Sequence, residues 1–100
     1  KNDANKKVPY IFGNPEINEF LNFKKILDRS KFSYHQVTNF YFFPSGRWDL
    51  EISKRNVLIK LPQDYNEETF DEVFELINNT NFEKFKIVDV RVKNQIILND

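Results

Sequence analysis

The stretch Trp48-Asp49-Leu50-Glu51-Ile52-Ser53-Lys54-Arg55-Asn56-Val57-Leu58-Ile59-Lys60-Leu61 decides how this chain folds. Trp48, Leu50 and Ile52 alternate with Asp49, Glu51 and Ser53, the period-two pattern of a strand with one apolar face. Val57, Ile59 and Leu61 repeat the alternation with the opposite numerical parity. The two apolar sets share a face only if the loop between them has an even length, which sets Ile52 opposite Val57, Leu50 opposite Ile59 and Trp48 opposite Leu61. Lys54-Arg55 is a poor two-residue turn, so a four-residue loop, Ser53 to Asn56, is expected. An antiparallel hairpin follows, and the other elements are read outward from it.

Upstream, Pro44-Ser45-Gly46-Arg47 is a turn that returns the chain from a strand carrying Phe40-Tyr41-Phe42-Phe43, in a period-two region that begins at Tyr34. Before it, Glu16 to Arg29 reads as a helix. Asn14 is the expected cap, and Pro15 the first helical position, where its missing N–H costs nothing. Ile17, Phe20, Leu21 and Leu27 form the apolar face, with Phe23 and Ile26 on its flanks. Val8-Pro9-Tyr10-Ile11-Phe12-Gly13 is a short apolar segment closed by Gly, and 1–7 is a polar, flexible lead-in.

Downstream, Pro62 stops the third strand. Asn66 caps a second helix whose first turn holds Glu67 and Glu68, favoured at the positive end of the helix dipole. Phe70, Val73, Phe74 and Ile77 follow at i, i+3, i+4 and i+7, and Asn78-Asn79-Thr80-Asn81 ends the helix. Residues 85–99 read as a hairpin around Lys93-Asn94. The order helix, three strands, helix, two strands predicts an α+β fold: a mostly antiparallel sheet with two main helices packed on one face, ending in a hairpin with an open edge strand.

The totals agree with one domain. The chain has 100 residues, 40% of them apolar with eleven Phe, which is enough for a single core. Fifteen basic and fifteen acidic residues cancel, so no general attraction to nucleic acid or anionic lipid is expected. There is no cysteine, hence no disulfide framework and no thiolate chemistry. No run approaches the ~18 apolar residues that span a bilayer. The first residue is Lys rather than Met, and the chain is expected to be a piece of a longer protein.

In the final hairpin, a two-residue turn at Lys93-Asn94 would set Val92 opposite Gln95, Val90 opposite Ile97 and Val88 opposite Asn99. Val88, Val90, Val92 and Ile97 would then lie under the helices, with Gln95 and Asn99 at the rim of that side. Ile87, Asp89, Arg91, Ile96 and Leu98 would take the other face. Gln95 to Leu98 carries no charge, Pro or other device that normally blunts an edge. Two readings stand: Ile96 and Leu98 are covered by the rest of the chain, or the strand is an edge kept apolar for a partner strand. Burying each of these two side chains would contribute roughly 1.5–3 kcal/mol.

Catalytic chemistry is not indicated. His35 is the only histidine and has no second ligand for a metal. Gly13 and Gly46 are isolated turn glycines, not a phosphate loop. Glu67 and Glu68 are explained by the helix dipole, and Ser33 and Ser45 have no base within a motif. Tyr41, Phe42 and Phe43 beside Arg47 could stack on bases, but aromatic residues in a strand are more often core. No enzyme activity and no cofactor are expected; a small ligand-binding or enzymatic pocket near Trp48 is the alternative. A structural spacer, its last strand capped within the chain or swapped between copies, is a third reading.

Four segments together carry a resemblance: Val8-Pro9-Tyr10-Ile11-Phe12-Gly13, Gly46-Arg47-Trp48, Leu61-Pro62 and Val88-Asp89-Val90-Arg91. In this order, joined by these elements, the chain resembles the extracytoplasmic β domain of the bacterial cell-division family FtsQ (DivIB), in the style of alphaproteobacterial members. The resemblance runs from Val8 to Leu98. It departs at Ser53-Lys54-Arg55-Asn56, where the family often has Asn-Gly, at Val92, where an aromatic is common, and at Asn99-Asp100, where a hydrophobic residue sometimes continues the strand. The resemblance implies a non-enzymatic scaffold on the periplasmic face of the inner membrane at the division septum. The cytoplasmic tail, transmembrane helix and POTRA domain of such a protein would lie outside this chain, with residues 8–100 as the β domain. It further implies partners FtsB, FtsL through FtsB, and other divisome proteins. The expected contact is a strand added along Gln95, Ile96, Ile97, Leu98 and Asn99, with Arg91, Val92, Lys93 and Asn94 fixing register. Arg91 would pair either with an acid of the partner or with a neighbour such as Glu51 or Asp89.

Overall fold

The computed structural model describes residues 8–52, 56–79 and 85–99. The expected lead-in, most of the loop after Ile52, and Thr80-Asn81 after the second helix lie outside them. The elements are β1 (Tyr10–Phe12), α1 (Ile17–Arg29), a 3-10 turn (Tyr34–Gln36), β2 (Val37–Phe42), β3 (Trp48–Ile52), β4 (Val57–Lys60), α2 (Glu67–Ile77), β5 (Ile87–Asp89) and β6 (Ile97–Asn99). The six strands form one sheet in sequence order, β1 to β6.

The β3–β4 hairpin pairs as the alternation requires, with Ile52 opposite Val57 and Leu50 opposite Ile59. β2–β3 and β5–β6 are also antiparallel, whereas β1–β2 and β4–β5 are parallel. Parallel neighbours need a crossover, and α1 and α2 supply the two. Both crossovers leave strands of the same direction and step the same way across the sheet, so one common hand places both helices on one face.

β1 is the strand the sequence pattern did not reveal. Only three residues long, it is too short for a period, and its pairing with Asn39 to Tyr41 is a tertiary fact. Gly13 then passes against β2 with φ 101°, where a Cβ would run into the Phe42 carbonyl oxygen. In β2 the register shifts between Val37 and Asn39, leaving Thr38 as an extra residue. This bulge lets Val37 and Phe40, of opposite parity, both reach the core. The strand begins at Val37 rather than at Tyr34, and His35 lies in the 3-10 turn before it.

The core lies between the helices and the sheet. Phe23 and Leu27 of α1, Phe70, Val73 and Ile77 of α2, and the inward residues of β2 to β5 are buried together. The Phe23 ring stacks on Trp48 at 4.4 Å and meets Phe40, Tyr65 and Phe70 edge-on at 5.2–5.6 Å. Phe20 and Ile26 pack at the margin of the same cluster. The apolar face of α1 is thus centred on Phe23 and Leu27. Ile17 and Leu21 are 73% and 53% exposed, contrary to the face the spacing suggested. The helix also starts later than Asn14-Pro15 indicates. Glu16 is its cap residue, and the Glu16 N–H donates to Glu19 Oε1 at 3.1 Å. Asn66 caps α2 as expected, its Oδ1 accepting from the Thr69 N–H at 2.9 Å.

Removing the Phe23 ring leaves a cavity against four aromatic partners. Phe23→Ala is expected to cost about 3–5 kcal/mol of unfolding free energy. Ile17→Ala and Leu21→Ala should each stay within about 0.5 kcal/mol, as exposed positions do. Urea unfolding of the three variants measures the contrast, and a large loss at Leu21 would show that α1 docks through the other face.

Candidate functional site

Val88 to Asn99 form the last ribbon, and its register is one residue away from the expected one. Ile87 pairs with Asn99, Val88 with Leu98 and Asp89 with Ile97. The turn explains the slip. The Gln95 N–H donates to the Val92 carbonyl at 3.1 Å, so Lys93 and Asn94 are the inner positions of a Val92–Gln95 turn. Asn94 has φ 63°, which places a left-handed residue third in the turn. The strands do not resume pairing until Ile97. A slip of one residue exchanges the faces of every side chain. Leu98 therefore turns to the helix side, half-buried against the core, and Ile97 and Asn99 turn to the uncovered face.

Main-chain directions follow from the neighbouring pair. The Leu58 N–H donates to the Lys86 carbonyl at 2.8 Å and the Val90 N–H to the Lys60 carbonyl at 3.0 Å. Val88, between them, thus directs its polar groups to β4, and the opposite side of β5 meets β6, where the Lys86 N–H also donates to the Asn99 carbonyl at 2.8 Å. The alternation of an antiparallel pair then turns the N–H and C=O of Leu98 outward, to the margin where no further strand lies among the described residues. Ile97 and Ile96 beside it are 43% and 52% exposed.

Arg91 is held by its own chain. Its Nε and Nη2 donate to Asp89 Oδ1 and Oδ2 at 2.9 and 2.7 Å, and its N–H donates to Asp89 Oδ1 at 3.0 Å. Of the two roles open to Arg91, the structure shows the local one. These bonds pull the Asp89 carboxyl below the ordinary value despite its burial. Asp49 behaves oppositely. Burial pushes its carboxyl up, although Arg47 Nη1 donates to Asp49 Oδ1 at 2.6 Å. Lys60 sits between them in register, opposite Asp49 on one side and Asp89 on the other. An alternating row of charge thus crosses the face that the helices leave uncovered.

On the helix side the ribbon borders a groove of about 800 Å³ between α2 and residues 90–96. Its apolar lining is Val73 and Leu76 from α2 with Val90, Val92 and Ile96 from the ribbon. Arg91, Lys93, Asn94 and Gln95 complete that side, so the nine residues singled out from sequence divide in two. Arg91 to Ile96 line the groove, and Ile97, Leu98 and Asn99 form the edge. The α2 half of the groove was missed. Its signal was Glu68, Glu72 and Leu76 at successive i, i+4 positions, outside the face that buries Phe70, Val73 and Ile77. Trp48 is buried under Phe23 and lines neither this groove nor the smaller depression by Tyr41, Phe43 and Leu58. Among the described residues no group of His, Cys, Asp and Glu could hold a metal ion, and no helix is long and apolar enough to cross a membrane.

Fold and site together define an α+β domain with an unfinished margin on a mixed sheet, bordered by an apolar groove. No protein-family model and no curated protein matches the chain.

The Asp89–Arg91 contact has a pH signature. A carboxyl whose folded pKa is depressed contributes stability above its unfolded pKa and loses it as pH falls through the folded one. Asp49, raised by burial, works in the opposite sense: its penalty appears as pH rises through its window. Asp89→Asn is expected to lower the urea midpoint at neutral pH and to flatten its decline below about pH 4. A decline as steep as the wild type's would assign acid sensitivity to other carboxylates.

Proposed function

We propose that this chain is the β domain of an FtsQ-like (DivIB-like) divisome scaffold, a non-enzymatic module that recruits FtsB, and FtsL through it, by strand addition at β6 during septation. The single observation that carries this reading is that β6 is the last strand of the sheet, with no further strand beside it among the described residues and no charged side chain in Ile97–Asn99. Support comes also from the order of Gly46-Arg47-Trp48, Leu61-Pro62 and Val88-Asp89-Val90-Arg91, which is the order in that family. In this reading the domain stands on the periplasmic face of the inner membrane. A POTRA domain, a transmembrane helix and a cytoplasmic tail precede it, and other divisome proteins assemble through the same complex.

The register refines which residues carry the contact. An incoming strand hydrogen-bonds to the main chain of Leu98, and its side chains lie beside Ile97 and Asn99 on one face and beside the groove on the other. Arg91 contributes by holding Asp89, and with it the ribbon, in place. Val92, Lys93, Asn94, Gln95 and Ile96 line the groove next to the edge, where in this reading they set the direction in which the partner leaves.

Leu98→Pro removes the outward N–H while keeping the Ile97 and Asn99 groups that bond β5. It is expected to abolish binding of a periplasmic FtsB peptide in calorimetric titration, with cooperative unfolding retained. Ile97→Lys, at an exposed side chain, should leave the fold intact and weaken the peptide less. Undiminished affinity of Leu98→Pro would remove strand addition as the mode of binding.

A further inference from the structure

The groove beside the ribbon has a charge that the edge lacks. Four carboxylates line it, Asp64, Glu68, Glu72 and Glu75, against the two cations Arg91 and Lys93. Arg91 is neutralised by Asp89, and Glu75 is paired with Lys31 at the α1 end of α2. Among the described residues, Asp64, Glu68 and Glu72 form no ion pair and neither does Lys93, so three free carboxylates stand against one free cation. Glu68 and Glu72 stand one helical turn apart, close enough to repel. Next to them Val92 and Ile96 are half-exposed apolar side chains.

We infer that the groove docks a cationic, apolar polypeptide segment, its aliphatic side chains against Leu76, Val90 and Ile96 and its Lys or Arg residues against Asp64, Glu68 and Glu72. Other ligand classes satisfy only half of the surface. A neutral apolar molecule would bury the carboxylate rim without a counter-charge, and an anionic segment or a nucleic acid would be repelled by it. The groove opens directly onto β6 through Ile96. That this segment continues the strand completing β6 rests on the strand-addition reading above; the preference for positive charge does not. On that reading the partner is basic and apolar where it leaves the edge, which assigns it a chemistry that main-chain pairing alone leaves open.

Two synthetic peptides with identical leucines, one carrying lysine and the other glutamate at the intervening positions, test this when titrated against the whole chain. The lysine peptide is expected to bind and to weaken with added salt, and the glutamate peptide not to bind. Glu68→Lys/Glu72→Lys should weaken the lysine peptide by about tenfold or more. Glu68→Gln/Glu72→Gln should do so to a smaller extent, which keeps the comparison valid if charge reversal disturbs α2. Ile96→Ser should weaken it too. Equal binding of the two peptides, or unchanged affinity in both Glu68/Glu72 double variants, would overturn the inference. So would self-association of the chain alone in sedimentation that the lysine peptide reverses, since the groove would then belong to a second copy. The lysine peptide should still bind Leu98→Pro. If it does while a strand peptide fails on the wild type, the edge reading falls and the groove stands; the reverse pattern removes the groove alone.

Discussion

Phe23 stacked on Trp48 is the contact on which this domain depends. It brings α1 onto the middle of the sheet, and the same ring meets Phe40 of β2, Phe70 of α2 and Tyr65 in the connection before α2. Offset-stacked and edge-on rings at these separations gain more than their buried area alone provides. Each parallel crossover therefore has its helix pinned to a common aromatic centre, and the sheet is held strongest at β2, β3 and β4. Lys31 extends the link outward, its N–H donating to Asp71 Oδ1 at 2.7 Å and its Nζ pairing with Glu75, so the two helices are also tied at the α1 C-terminus.

A centre built this way leaves the margins lightly held. β1 and β6 are three residues long and mostly exposed, and each has one neighbour in the sheet. The uncovered face is protected in a different manner. Arg47, Asp49, Lys60, Asp89 and Arg91 alternate in sign across β3, β4 and β5, and the Arg47 guanidinium also lies 4.7 Å above the Phe43 ring. Charge on that face opposes stacking of a second sheet, while the β6 margin has none of it. The sequence thus guards one route of association and leaves another open.

What could be read from the sequence follows how many constraints met at each element. β3 and β4 each supply two or more alternating apolar residues, and parity then admits only loops of even length, which with Ile52 set opposite Val57 made the register legible to the residue. α2 has a cap and a full i, i+3, i+4, i+7 row. In α1, by contrast, six apolar residues over thirteen positions allow more than one face. Which side packs was decided by Trp48 receiving Phe23, a partner remote in sequence. The bulge at Thr38 and the parallel pairing of β1 are likewise set by tertiary contact. In the last ribbon only Val88, Val90 and Val92 argued for a face, and a turn that uses a left-handed Asn94 shifted the register by one. The nine ribbon residues were read as one edge; the structure divides them between groove and edge, and the α2 half of the groove was not read at all.

That one-residue difference changes what the edge can recognise. With the expected register, Leu98 would offer its side chain to a partner. With the observed one, its side chain is committed to the core beside Val88, and only its main chain faces out. Main-chain bonds are alike for every strand, so an edge that speaks mainly through them is tolerant of sequence. Discrimination must then come from what flanks the strand: Ile97 and Asn99 on the charged face, and the groove with its carboxylates on the other. A neutral chain can in this way present a negatively signed surface where a second polypeptide would meet it, because Asp89 and Lys31 withdraw Arg91 and Glu75 from the balance and leave Asp64, Glu68 and Glu72 against Lys93 alone.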